Sequence, residues 1–132
     1  MVSAAGKEDY VEYKLIIYGR LCSLNEYIKA ERKNRYKGAK IKRDNERIIT
    51  ESIKQQLHGI RIENPVHVKY LWVVPDKRTD RDNIVFARKF IQDALVSTGV
   101  LKDDGWKYVV GFSDRFDVDK NNPRIEVKII EQ

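Results

Sequence analysis

Apolar positions fall into two alternating spacings along the chain, and these predict its elements. Tyr13-Lys-Leu-Ile-Ile-Tyr18 is rich in β-formers and predicts a first strand, closed by Gly19. Arg20 to Ile28 has no clean period and reads as a loop leading into irregular or short helical structure. From Asp44 the period becomes helical. Ile49, Ile53 and Leu57 recur every four residues with Ile48 beside them, Asp44 or Asn45 is placed to cap the start, and Gly59 is a stop. Pro65 then ends a connector, and Val66 to Val74 predicts a strand with Val66, Val68, Tyr70, Trp72 and Val74 on one face. Leu71 and Val73 make its far end apolar on the other face too, as in a central strand. After Pro75 a second helix begins near Asp82, with Ile84, Ala87, Ile91, Ala94 and Leu95 as its stripe, Phe86 and Phe90 flanking, and Gly99 as its end. Trp106 to Phe112 predicts a strand with Trp106, Tyr108, Val110 and Phe112 on one side, followed by a polar loop from Ser113 to Pro123. Arg124 to Ile129 alternates strictly and predicts a last strand with one wet face, placed at a sheet edge.

The order is strand, helix, strand, helix, strand, strand. It predicts an α+β domain: one mixed sheet of four strands, two main helices packed against it, and the final two strands as an antiparallel pair. At 132 residues the chain is long enough for a single core. Residues 1–10 read as a flexible tail, leaving 11–132 as the domain.

Charge narrows the partner. Lys and Arg number 26 against 20 Asp and Glu, a net charge of +6 that favours a polyanion. Much of the excess lies in residues 29–43, where Lys29, Arg32, Lys33, Arg35, Lys37, Lys40, Lys42 and Arg43 are opposed only by Glu31. Two readings stay open. One is a mobile arm in which Arg32, Lys33, Arg35, Lys37, Lys40 and Lys42 neutralise phosphates while Tyr27 and Tyr36 stack on bases. The other is a solvated basic face. No apolar run approaches the ~20 residues of a membrane span. The N-terminus lacks a signal-peptide core, and the lone Cys22 has no internal disulfide partner, so a cytoplasmic protein is expected.

The candidate chemistry sits in Arg78-Thr79-Asp80-Arg81-Asp82-Asn83-Ile84, where a strand hands over to a helix, and in Asp103-Asp104 after that helix. Carboxylates gathered at such a junction suit a hard divalent cation. Taken singly they also suit plainer roles: Thr79-x-x-Asp82 resembles a capping box, and Asp103-Asp104-Gly105 an ordinary turn. On the second helix, Asp82 and Lys89 are seven residues apart and so are expected within about 20° of each other around the axis and roughly 10 Å apart along it, with Asp93 on the same stripe. Other chemistries fit less well. Two histidines and one cysteine make no typical zinc site, and His67 reads as an exposed strand residue. There is no Gly-rich phosphate loop and no nucleophile elbow. Asp117 to Asn122 starts like a calcium loop but has Asn122 at the glycine position and Lys128 at the terminal ligand position.

The stretch Pro75 to Ile84, then Lys89, Asp93-Ala94-Leu95, Gly99-Val100 and Asp103-Asp104, resembles the RusA family of Holliday-junction resolvases. Ser23 to Ile28 and Asn34 to Lys37 resemble its phage and prophage branch. The resemblance runs from about Tyr18 to Phe112. It implies a homodimeric, magnesium-dependent (Mg2+) endodeoxyribonuclease that cuts four-way junction DNA in recombination and repair, in a bacterial host cell, with no membrane and no small-molecule cofactor. The family's catalytic and metal-binding acids carry over to Asp80, Asp82 and Asp104, with Asp103 as the neighbouring candidate ligand, and its lysine carries over to Lys89. In this chain the step from Asp82 to Lys89 is three residues longer than the family pattern, close to one extra helical turn. A non-catalytic DNA-binding module, and a metal-dependent nuclease for flaps or single strands, are the alternatives.

Overall fold

A computed structural model describes residues 11–19 and 21–132. The expected tail at 1–10 lies outside them. The elements are β1 (Glu12–Tyr18), α1 (Leu24–Lys33), α2 (Arg35–Gln56), β2 (Val66–Val74), α3 (Arg81–Ile84), a 3-10 turn (Val85–Ala87), α4 (Arg88–Ser97), β3 (Val109–Val118) and β4 (Arg124–Glu131). The α+β architecture is as expected: one mixed sheet of four strands covered by helices.

The strand order is β1-β4-β2-β3, with β2 and β3 parallel and the other pairs antiparallel. Two expectations are corrected here. The last two strands do not pair with each other, and β4 is not an edge. It lies between β1 and β2, matching Val127 to Leu15 on one side and to Tyr70 on the other. The strict alternation of β4 reported correctly that one face is wet, but alternation counts buried faces and not paired edges. β2 is central, as its pattern predicted, and its link to β3 runs through α3 and α4, the crossover that a parallel pair requires.

Leu15, Ile17, Val66, Val68, Tyr70, Trp72, Ile125, Val127 and Ile129 are buried on the sheet face beneath the helices. Ile49 and Ile53 of α2 and Phe90, Ile91, Ala94 and Leu95 of α4 complete that core. Burying side chains of this size stabilises by about 1.5–3 kcal/mol each, enough to order segments with little regularity of their own.

Helix boundaries moved most. The segment expected to be an irregular loop contains α1, started by a reciprocal capping box: Ser23 Oγ accepts from the Glu26 N–H while Glu26 Oε1 accepts from the Ser23 N–H at 2.8 Å. α2 begins at Arg35, nine residues before its apolar period starts, so three longer helices accompany the sheet and not two. Asn34 joins α1 to α2, its extended backbone ending one helix and its side chain accepting from the Lys37 N–H at 3.0 Å to begin the next. Residues 29–43 are therefore two helices meeting at a corner, and not an arm. Tyr27 is packed edge-on and tilted against Phe90 and Phe86, so it is not available to stack on bases, whereas Tyr36 is exposed.

β3 also differs. It starts at Val109 and runs to Val118, taking in much of the expected loop. Trp106 lies before it in a turn closed by the Tyr108 and Val109 N–H groups donating to the Gly105 carbonyl.

Candidate active site

The second helix is broken where the chemistry was expected. α3 is a single turn, Val85–Ala87 is a 3-10 turn, and α4 starts afresh at Arg88. Asp82 and Lys89 are thus not on one continuous helix, yet they line the same shallow groove together with Phe86, Arg88, Gln92 and Phe112. Asp80 occupies the N-cap position of α3, but its side chain makes no capping bond, so the Thr79-x-x-Asp82 capping box is not formed. Its carbonyl accepts from the Asn83 and Ile84 N–H groups while its carboxylate lines a neighbouring groove with Asp76, Arg81, Phe116 and Asp117. Asp82 is exposed and accepts from the Asn83 N–H at 3.1 Å.

Of the acidic strip made of Asp80, Asp82, Asp103 and Asp104, Lys89 is paired with Asp104. Its Nζ lies 3.1 Å from Asp93 Oδ1, one helical turn on, and 3.7 Å from Asp104 Oδ2 in the loop after α4. The shared stripe of Lys89 and Asp93 is as the spacing predicted. The hydrogen bond and charge of Asp93, then the charge of Asp104, raise the Lys89 pKa above its ordinary value. Asp103 is exposed. His67 is on the opposite sheet face from Tyr70 and Trp72, with Nε2 3.4 Å from Ser113 Oγ, away from the acids.

All candidate donors are carboxylate oxygens, the kind a hard cation takes. Their number and type fit, but their gathering is only partial. Among the described residues no three His, Cys, Asp or Glu side chains form a metal-holding group. Asp82 and Asp104 are both associated with Lys89, while Asp80 faces the adjoining groove.

Three residues at this site, Asp114, Arg88 and Arg81, are not among the candidates named from the sequence. Asp114, placed there in a polar loop, bonds to Trp72 Nε1 at 2.8 Å and to the Arg88 guanidinium. Arg88 also stacks over Phe112, and Arg81 over Phe116. Arg81 and Arg88 are seven residues apart, a spacing that could have marked them as neighbours on one face. Nothing in the sequence marks their partners on β3, Phe116 for Arg81 and Asp114 and Phe112 for Arg88.

The basic candidates divide. Lys33, Lys37 and Lys40 line one groove between α1 and α2 with Lys29, Glu26, Ala30 and Ile41. Arg32, Arg35 and Lys42 are exposed elsewhere on the same helices. Lys40 is paired with Asp44 at 2.8 Å, an exposed bridge worth little.

No helix among the described residues is long and apolar enough to cross a membrane. No curated protein matches the chain. A family model, that of endodeoxyribonuclease RusA, matches residues 21–130. That span holds the acidic strip, Lys89 and both basic helices, and it covers nearly the whole chain, which therefore belongs to the RusA endodeoxyribonuclease family.

Proposed function

We propose that this chain is a structure-selective endodeoxyribonuclease that resolves four-way DNA junctions as a homodimer in recombination and repair, in the cytoplasm of a bacterial host, and that it takes Mg2+. The observation that carries the reading is the family match across a segment in which Asp82 and Lys89 share one exposed groove. Asp80, Asp82 and Asp104, with Asp103 adjacent, are the residues that would hold the ion. When bound, it supplies Lewis-acid polarisation of the scissile phosphate and a nucleophilic water at neutral pH. The remaining work falls to the chain. Lys89 keeps its proton because Asp93 and Asp104 flank it, so it offers a fixed positive charge to oxygen atoms on which negative charge builds. Asp93 holds the Lys89 side chain toward the groove by its i,i+4 contact.

The direct test is cleavage of synthetic four-way junctions, linear duplexes, flaps and single strands, each with and without magnesium. Junctions cut in preference to the rest, only with the metal, are the expected result. Preference for flaps or single strands would redirect the substrate, and binding without cutting would leave a DNA-binding module.

The raised pKa of Lys89 sets the pH behaviour. A lysine whose folded pKa exceeds its unfolded value adds stability that is fully present below the unfolded pKa and is lost as pH rises through the folded one. Its charge should therefore persist through the neutral and mildly alkaline range. The rate profile of the intact enzyme should show no lysine-dependent fall below the ordinary lysine pKa. Lys89→Met should lower the rate across that whole range without adding an inflection. An alkaline fall near neutrality that Lys89→Arg removes would contradict this.

DNA affinity is assigned to the groove between α1 and α2. Lys29, Lys33 and Lys37 line it beside Lys40, whose own charge is matched by Asp44, and DNA phosphates would complement the other three. Replacing those three by Ala should reduce the slope of log affinity against log salt by about two to three units, near 0.9 for each phosphate no longer neutralised. The matched change of Arg32, Arg35 and Lys42 should reduce it by less. Equal slopes for both triple variants would mean the charge acts as a diffuse field and not as a groove.

A further inference from the structure

Asp82 stands on a short element held to the core only by partly buried side chains, Ile84 in α3 and Val85 and Phe86 in the turn after it. α3 is four residues long and has no buried residue, and the 3-10 turn after it buries only Ala87. Apolar contacts of this kind are non-directional, so something more must fix the pose of the segment if Asp82 and Lys89 are to share a groove across a broken helix. The candidate is the first residue of α4. The Arg88 guanidinium pairs with Asp114 Oδ2 and lies 4.3 Å from the Phe112 ring centroid. The other oxygen of Asp114 accepts from Trp72 Nε1, and Trp72 is core, stacked on Tyr70. A rigid chain of contacts therefore runs from the middle of the sheet through Asp114 to the start of α4. Seven residues earlier, Arg81 lies over Phe116 and repeats the contact at the other end of the segment.

The side chains of Arg88 and Asp114 are only 26% and 17% exposed. Stability alone explains such a pair poorly, because desolvation offsets most of the attraction between half-buried ions and apolar residues of similar size often do as well. A planar guanidinium that meets a carboxylate and an aromatic face together does fix orientation, which a lysine cannot do as well. We propose that Arg88, held by Asp114 and Phe112, is a positioning residue that sets the pose of residues 80–89 so that Asp82 and Lys89 face one groove. This rests on the nuclease reading of that groove. It is distinct from a direct phosphate contact, since Asp114 already neutralises the Arg88 charge.

The test uses the full chain and the variants Arg88→Gln, Arg88→Lys and Asp114→Asn, with three measurements. The first two are single-turnover cleavage of a four-way junction with magnesium and junction Kd by gel shift. The third is amide hydrogen exchange without DNA. Misplacing a reacting group by an ångström costs up to about a hundredfold in rate. Arg88→Gln and Asp114→Asn should therefore slow cleavage by about tenfold to a hundredfold with Kd almost unchanged, and Arg88→Lys should recover part of the loss. Exchange should quicken severalfold in residues 81–89 and stay unchanged in α2. A direct phosphate role gives the opposite split. Arg88→Gln then weakens binding at unchanged rate, and Asp114→Asn, by freeing the guanidinium, tightens it. Either that pattern or unaltered exchange in 81–89 overturns the proposal. If the parent chain cuts none of the substrates, the nuclease reading fails, while exchange still decides whether Arg88 holds the segment. Should Arg88→Gln not fold, the isosteric Asp114→Asn carries the test alone.

Discussion

Asp82→Asn should abolish junction cleavage and leave junction binding intact or tighter. The substitution is nearly isosteric. It keeps an oxygen to accept the Asn83 N–H and alters an exposed side chain on a helix with no fully buried residue, so folding stability should change by no more than about 0.5 kcal/mol. What it removes is a negative charge and a hard oxygen donor beside Lys89. Stabilisation of a phosphoryl transition state through such donors is worth several kcal/mol. At about 1.4 kcal/mol per factor of ten, the rate should fall by about a thousandfold or more. Binding moves the other way, since DNA phosphates meet one fewer carboxylate. Gel shift and cleavage on one preparation, with circular dichroism to verify folding, separate the two effects. Undiminished cleavage by Asp82→Asn would remove the acids from the mechanism.

The asymmetry between what is legible in the chain and what is not has a physical basis. β2 is readable because burial on both faces leaves a dense apolar run, and α4 because its stripe packs on the core. The first half of α2 escapes because it is almost all solvent-facing. Gly38 and Asn45 are its buried residues before Ile49, and neither contributes to an apolar period. α1 has a readable start in Ser23-x-x-Glu26, but no clean period follows it to mark a helix. Within the site, Asp80, Asp82, Lys89 and Asp104 form a pattern local in sequence. Arg88 and Asp114 depend on β3 returning parallel beside β2, a contact 26 residues away that no local spacing encodes. The break at 85–87 is likewise invisible, because its residues continue the apolar stripe.

Sheet topology decides where a second copy of the chain would dock. Resolving a four-way junction requires two strands to be cut in a symmetric way, while one chain carries one acidic strip, so a closed two-fold dimer is expected. The wet final strand resembles a docking edge in sequence, but β4 is paired on both sides. Of the two real edges, β1 is blocked at its middle. Gln56 bonds to both the N–H and the carbonyl of Ile16, each at 2.7 Å, and occupies the groups a partner strand would need. β3 pairs with β2 alone among the described strands, and near its start Val110 is 55% and Phe112 48% exposed, next to a turn whose Trp106 is 98% exposed. Aromatic residues of this kind anchor interfaces. The grooves holding Asp80 and Asp82 also border β3, at Phe116 and Phe112, so a dimer closed along this edge would bring two acidic strips to one substrate. Light scattering at micromolar concentration should give about twice the 15.5 kDa chain mass. Val110→Lys would bury a charge within such an interface and should weaken the dimer by about 2 kcal/mol or more, roughly thirtyfold in Kd. Paired incisions should then give way to single nicks while the rate of the first cut persists. Trp106→Ser should act in the same direction, because it removes the largest apolar side chain beside the edge. A parent chain that stays monomeric on junction DNA, or a Val110→Lys variant that stays dimeric and makes paired cuts, would exclude the β3 edge as the interface.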